Sequence, residues 1–86
     1  MRVTIISPEK AIFDDDCTAV VAPAYDGKVG ILPRHAPFMT LLGEGRLTVR
    51  QGDANSVFRV RGGFLQVVDN VVNVVAEYAE GDADAP

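Results

Sequence analysis

Turn-forming clusters punctuate this chain about every eight to twelve residues, and that spacing is its tightest structural constraint. They fall at Ser7–Lys10, Asp14–Asp16, Asp26–Gly27, Pro33–Pro37, Gly43–Gly45, Gln51–Asn55, Gly62–Gly63 and Asp69–Asn70. The runs between them are short and rich in valine, which fits a pleated, half-buried surface better than a helix. Four of the six residues of Val71–Ala76 are β-branched valines, which disfavour a helix there. The pattern predicts an all-β chain of eight to ten short strands, packed as a β-sandwich or small barrel.

Val3 and Ile5 alternate with Arg2 and Thr4, the period of a first strand. Ala11–Phe13 reads as a second, closed by Asp14-Asp15-Asp16. That triplet lacks the spacing of a calcium loop and is predicted to be a solvated turn. Cys17–Pro23 reads as a strand buried on both faces. Cys17 has nothing nearby to lower its pKa and is predicted to pack rather than react. Lys28–Leu32 and Phe38–Leu42 are the next strands.

Arg46–Arg50 and Val57–Arg61 alternate strictly and predict a hairpin closed at Gln51–Asn55. Pairing Leu47 with Val60 and Val49 with Phe58 collects those four on one face. The opposite face then carries Arg46, Arg50, Arg59 and Arg61, whose mutual repulsion calls for acidic company; Glu44 and Glu77 are candidates. Gly62–Gly63 is either a tight turn or a bulged corner where a strand passes between sheets. Phe64–Val68 and Val71–Ala76 finish the set around a two-residue turn. Residues 1–79 are predicted to form one sandwich domain and residues 80–86 an acidic, disordered tail.

At 86 residues the chain is one domain, burying about 60–65% of its unfolded surface within a radius of gyration of about 12 Å. A net charge of −4 and a pI near 4.7 argue against a nucleic-acid binder. One cysteine excludes an internal disulfide. No apolar run is long enough to span a bilayer, and the first residues are too short for a secretory signal. The chain is expected to be soluble and cytosolic.

The stretch Asp26–Thr40 holds two of the five prolines, two of the eight glycines and the only histidine. Gly27 and Gly30 permit angles that side chains forbid, while Pro33 and Pro37 fix φ, so ordering it costs little entropy. Ile31, Leu32, Phe38 and Met39 flank a polar Arg34–His35 tip. The segment reads as a stiff strand–loop–strand presenting a shaped surface.

Convergent chemistry is scarce. With His35 as the only imidazole, a three-histidine metal site is excluded by counting. His35 with Asp26 is the one conceivable acid/base pair, and a small enzyme using His35 is the weakest reading. His35 fits better as a loop brace, donating to a backbone carbonyl between Pro33 and Pro37. There is no phosphate-binding Gly-x-x-x-x-Gly-Lys run. No catalytic residue, metal ligand or cofactor site is assigned; the residues describe a binding or structural module.

Gly27–Phe38 (Gly-Lys-Val-Gly-Ile-Leu-Pro-Arg-His-Ala-Pro-Phe), Arg61–Val67 (Arg-Gly-Gly-Phe-Leu-Gln-Val) and Asn70–Ala76 (Asn-Val-Val-Asn-Val-Val-Ala), with the opening Ser7-Pro8-Glu9, resemble the epsilon subunit of the rotary proton-translocating ATP synthase. The resemblance covers nearly the whole chain. It implies a flattened β-sandwich of about ten strands, on the cytoplasmic face of an energy-transducing membrane and peripheral to it. There the domain would grip gamma and rest on the polar loops of the c-ring, coupling proton-driven rotation to ATP synthesis without catalysis of its own. It also implies that Asp26, Gly27 and Lys28 meet the c-ring, and that His35, Phe38, Met39 and Thr40 face gamma.

Three departures stand out. The chain stops after the last strand, where typical members continue into a two-helix hairpin, so helix-mediated inhibition and ATP binding are not expected. Lys28 stands where the family often has an acidic or polar residue. Arg34 replaces the usual glycine before the histidine, where a left-handed angle costs roughly 1 kcal/mol or more. The alternative reading is a lipoyl- or biotinyl-type carrier domain with Lys28 as the modified residue.

Overall fold

The computed structural model describes residues 1–82, and those residues are all β. In chain order the strands are β1 (Arg2–Ile6), β2 (Ala11–Asp16), β3 (Ala19–Ala24), β4 (Gly27–Ile31), β5 (Phe38–Leu41), β6 (Glu44–Gln51), β7 (Ala54–Val68) and β8 (Val71–Gly81). They pair in the order β2-β1-β8-β7-β6-β3-β4, with β5 also alongside β7.

Strand β7 organises the rest. Its first half pairs with β6, from Ala54 opposite Gln51 to Arg61 opposite Glu44. Its second half pairs with β5, from Phe64 opposite Leu41 to Val67 opposite Phe38. The change of partner falls at Gly62 and Gly63, whose φ angles of +67° and +99° only glycine adopts without strain. Register with β8 continues unbroken through this point, from Arg61 opposite Tyr78 to Gly63 opposite Ala76. Of the two readings of the glycine pair, the corner is therefore realised, and no residue is inserted. A side chain at Gly63 would fall on the Val75 carbonyl oxygen and the Ala76 Cα, so only glycine lets β7 and β8 bend together. The bent ladder closes into a sandwich: β2-β1-β8-β7-β5 form one layer and β4-β3-β6-β7-β8 the other.

The strand count is eight, within the eight to ten that the pattern predicts and slightly below the ten or so that the resemblance implies; the two runs flanking Gly62–Gly63 are one 15-residue strand. Strand β8 extends for 11 residues to Gly81, so Glu80 and Gly81 lie in the sheet opposite Arg59 and Phe58 rather than in a tail. Residues 83–86 of the expected acidic tail lie outside the described residues. The radius of gyration is 11.4 Å and the extents are 28 × 27 × 24 Å, a slightly flattened body.

Alternation puts inside the residues it predicts in β1 and in the β6–β7 hairpin, Val3 and Ile5, Leu47 and Val49, Phe58 and Val60; Val20 and Ala22, Leu65 and Val67, and Val72 and Val74 are buried at the same period. The hairpin register differs by two from the expected one: Leu47 lies opposite Phe58 and Val49 opposite Ser56. The cause is the turn. Gly52, at φ +63°, and Asp53 close it in two residues, with glycine at the first central position as type II′ turns require. A shift of two preserves the faces, so the buried set is unchanged. At the other hairpin Asp69 and Asn70 both take positive φ, 52° and 65°, the type I′ arrangement.

Three other expectations are corrected. Asp14–Asp16 is the end of β2 rather than a turn, paired with Arg2–Thr4; Arg2 Nε donates to Asp14 Oδ1 at 2.8 Å. Three carboxylates suit that place, since charge on an edge strand blocks pairing with other chains. The run after Cys17 is not buried on both faces throughout: Val20 and Ala22 are buried on the inner face, whereas on the outer face Val21 is exposed and Pro23 is buried. Gly43–Gly45 is a tighter link than a three-residue turn: Leu42 bridges Ala24 and β6 starts at Glu44.

Candidate partner-binding surface

The proline–glycine segment folds as two edge strands and the loop between them. β4 pairs only with β3, and Gly27 at its start takes φ +138°. Pro33 and Arg34 turn the chain, the His35 amide donates to the Leu32 carbonyl at 3.2 Å, and β5 then leaves along β7. Arg34 takes a left-handed backbone, φ +67°, the region that favours glycine. A contact offsets the strain: its N–H donates to Asn70 Oδ1 at 2.8 Å, tying the loop to the β7–β8 turn.

His35 Nδ1 lies 2.7 Å from the Ala36 carbonyl oxygen, which the Nδ1–H tautomer reaches as donor. Its ring sits against Phe38, with centroids 5.5 Å apart. His35 therefore braces the loop, as its place between two prolines suggests. Among the described residues no hydrogen bond or ion pair joins His35 to Asp26, and no group of three His, Cys, Asp or Glu converges as a metal cage.

Asp26, Lys28, Phe38, Met39 and Thr40, assigned by resemblance to two different partners, line one open depression of about 590 Å³. The tip of the β3–β4 hairpin lies beside β5, joined by the Tyr25 amide donating to the Leu41 carbonyl at 3.1 Å. Gly27 belongs instead to an adjoining hollow with Lys28, Arg46 and Arg59, and His35 lines neither. Alternation along β5 splits its side chains. Phe38 is half-buried and packs on the core, whereas Met39 and Leu41 are each 61% exposed. With Tyr25 at 70%, they form a contiguous apolar rim on a chain whose core is otherwise closed. Tyr25 and Leu41 are absent from the sequence-based assignment; the alternation at 38–41 implies Leu41, but nothing local implies that Tyr25 reaches β5.

The arginine face finds partners other than the expected Glu44 and Glu77. Arg46 Nε lies 3.3 Å from Asp82 Oδ2, and the Arg61 guanidinium stands 5.2 Å from the centroid of the Tyr78 ring. The Tyr78 hydroxyl is pushed above its ordinary value, chiefly by its hydrogen bond with Glu80. Lys28 does not stand at a hairpin tip, as a modified carrier lysine would; it is inside β4 opposite Pro23.

Comparison with known proteins agrees with this architecture. Residues 1–82 match the family model of the ATP synthase delta/epsilon chain, β-sandwich domain. The ATP synthase epsilon chain of Desulforamulus reducens is 44% identical over 79 residues, which cover 92% of this chain and 60% of that one. The epsilon chain of Caulobacter vibrioides is 38% identical, with 92% of both chains covered. The chain thus spans about three-fifths of the length of the first of these relatives and nearly all of the second. Among solved structures, a chain of the Euglena gracilis mitochondrial ATP synthase (OSCP/F1/c-ring, rotational state 1) superposes with a TM-score of 0.85 at 24% identity, covering 92% of this chain and 51% of that one. One in the Tetrahymena thermophila mitochondrial ATP synthase central stalk/c-ring gives 0.79 at 21%, covering 93% and 65%. These two show a shared fold; the family match over residues 1–82, with the epsilon chains that run alongside it, makes this chain a member of the ATP synthase delta/epsilon β-sandwich family.

Proposed function

We propose that this chain is a non-catalytic rotor subunit of a proton-translocating ATP synthase, peripheral to the cytoplasmic face of the membrane, that binds gamma and touches the c-ring. The observation that carries the reading is the exposed apolar rim of Tyr25, Met39 and Leu41 beside the braced 32–37 loop, in a chain of this family. Gamma would seat on β5 and that loop through His35, Phe38, Met39 and Thr40. Asp26 at the β3–β4 tip, with Gly27 and Lys28 at the start of β4, would meet the polar loops of the ring. Transmitting torque requires that the contact surface not yield. Here it is held by a proline at each end of the loop, by the Arg34–Asn70 bond and by the β5–β7 ladder, so little ordering entropy is lost on docking.

No ATP site is proposed, and among the described residues no helix is long and apolar enough to cross a membrane. Titration of the purified chain against gamma tests the proposal: association at micromolar concentration supports it, and none at tens of micromolar contradicts it.

A further inference from the structure

The outer face of β4, β3, β6 and β7 carries charge of the opposite sign to the chain. Lys28, Arg46, Arg50, Arg59 and Arg61, five of the eight cations in the sequence, are exposed on it. Three carboxylates share that face: Glu44, Glu80 and Asp82. The remaining described residues hold three cations against eight carboxylates.

The cations are grouped rather than dispersed. Arg46 lies directly opposite Arg59, a like-charge cross-strand pair that disfavours the isolated sheet. Both border, with Lys28 and Glu44, a hollow of about 480 Å³ among Pro23, Gly27 and Gly45. The face already receives one carboxylate: Asp82 lies 3.3 Å from Arg46 with its side chain only 17% exposed.

We infer that this face is a second interaction surface, adjoining the apolar rim at Ala24 and Lys28, that docks an acidic polypeptide segment. Spacing selects the partner. Arg59 and Arg61 are two residues apart along β7, about 7 Å, and Arg46 and Arg50 four apart along β6, about 13 Å. Carboxylates along an extended segment match such spans, whereas one phosphate is too small for them. A bilayer of anionic lipid is disfavoured because Glu80 on β8 and Asp82 just beyond its end lie beside the arginine rows and would face the headgroups.

The test is fluorescence anisotropy of labelled poly-L-glutamate with the full chain at low ionic strength, beside anionic phosphatidylglycerol vesicles. Binding should weaken as salt is added. The double variant Arg50→Gln/Arg59→Gln should bind about tenfold more weakly, the sum of two charge contacts, with a melting temperature no lower than the parent's, since it relieves the Arg46–Arg59 repulsion. Lys10→Gln should bind like the parent. Should the double variant fold poorly, Asp82→Asn gives an independent reading, since freeing Arg46 should tighten binding. Equal loss in Lys10→Gln, no change in the double variant, or weaker binding in Asp82→Asn overturns the inference. So does binding to vesicles without binding to poly-L-glutamate, or self-association that removes the acidic edge Asp14–Asp16 from solvent.

Discussion

Arg34 holds a glycine's conformation without being glycine, and the energetic consequence can be measured. A left-handed residue with a Cβ costs about 1 kcal/mol, and the Asn70 contact offsets part of it. Arg34→Gly should therefore raise stability by about 1 kcal/mol, or about 4–8 °C in Tm for a domain of this size. An unchanged Tm would show that the arginine side chain contributes as much as the strain costs. Neighbouring residues on β5 separate packing from binding. Phe38→Ala removes a ring packed on the core and should cost about 2–4 kcal/mol, whereas Met39→Ala should leave Tm within about 2 °C and act on gamma binding alone. Cys17 gives a pH signature. Burial raises its thiol above the ordinary value of 9.0, so the folded chain keeps a proton that the unfolded chain releases. That contribution is complete below the unfolded value and is lost as pH rises past it. Urea unfolding should thus show stability falling above about pH 9, and Cys17→Ala should flatten that limb.

Among the elements, the bend shared by β7 and β8 decides whether there is a sandwich at all. Gly63→Ala places a methyl on the Val75 carbonyl and forces alanine to positive φ; the combined strain and overlap should cost about 3 kcal/mol or more, read as a collapse of the urea midpoint. The glycine pair was visible in the sequence as an interruption, but local pattern alone did not say whether the chain turned back or bent and continued. Pairing with β8 on one side and with β6 then β5 on the other settles it. Much the same holds for the β6–β7 hairpin: strict alternation specifies parity, so the buried set was legible, while the offset of two depended on a two-residue Gly52–Asp53 turn inside a longer polar stretch. Strand β1 lies parallel to β8, with Arg2 opposite Val71, a contact between distant segments that no local signal carries.

At the scale of the whole molecule, a closed valine-rich core leaves two distinct surfaces: an apolar rim at β5 with the β3–β4 tip, and a cationic face over β6 and β7. The rim was half legible. Proline and glycine spacing marked the stiff loop beside it, and of His35, Phe38, Met39 and Thr40, which the resemblance implies, Met39 alone lies in the rim. The meeting of Tyr25 with Leu41 arises from a long-range hydrogen bond and was not legible. The rim is the surface on which the proposed rotor role depends. Isothermal titration of the chain against purified gamma, in parallel with Met39→Ala, tests that role most directly. The account predicts a dissociation constant in the micromolar range or below, weakened about tenfold by Met39→Ala while Tm is preserved. No heat of binding at tens of micromolar, or equal affinity for the two proteins, would contradict it.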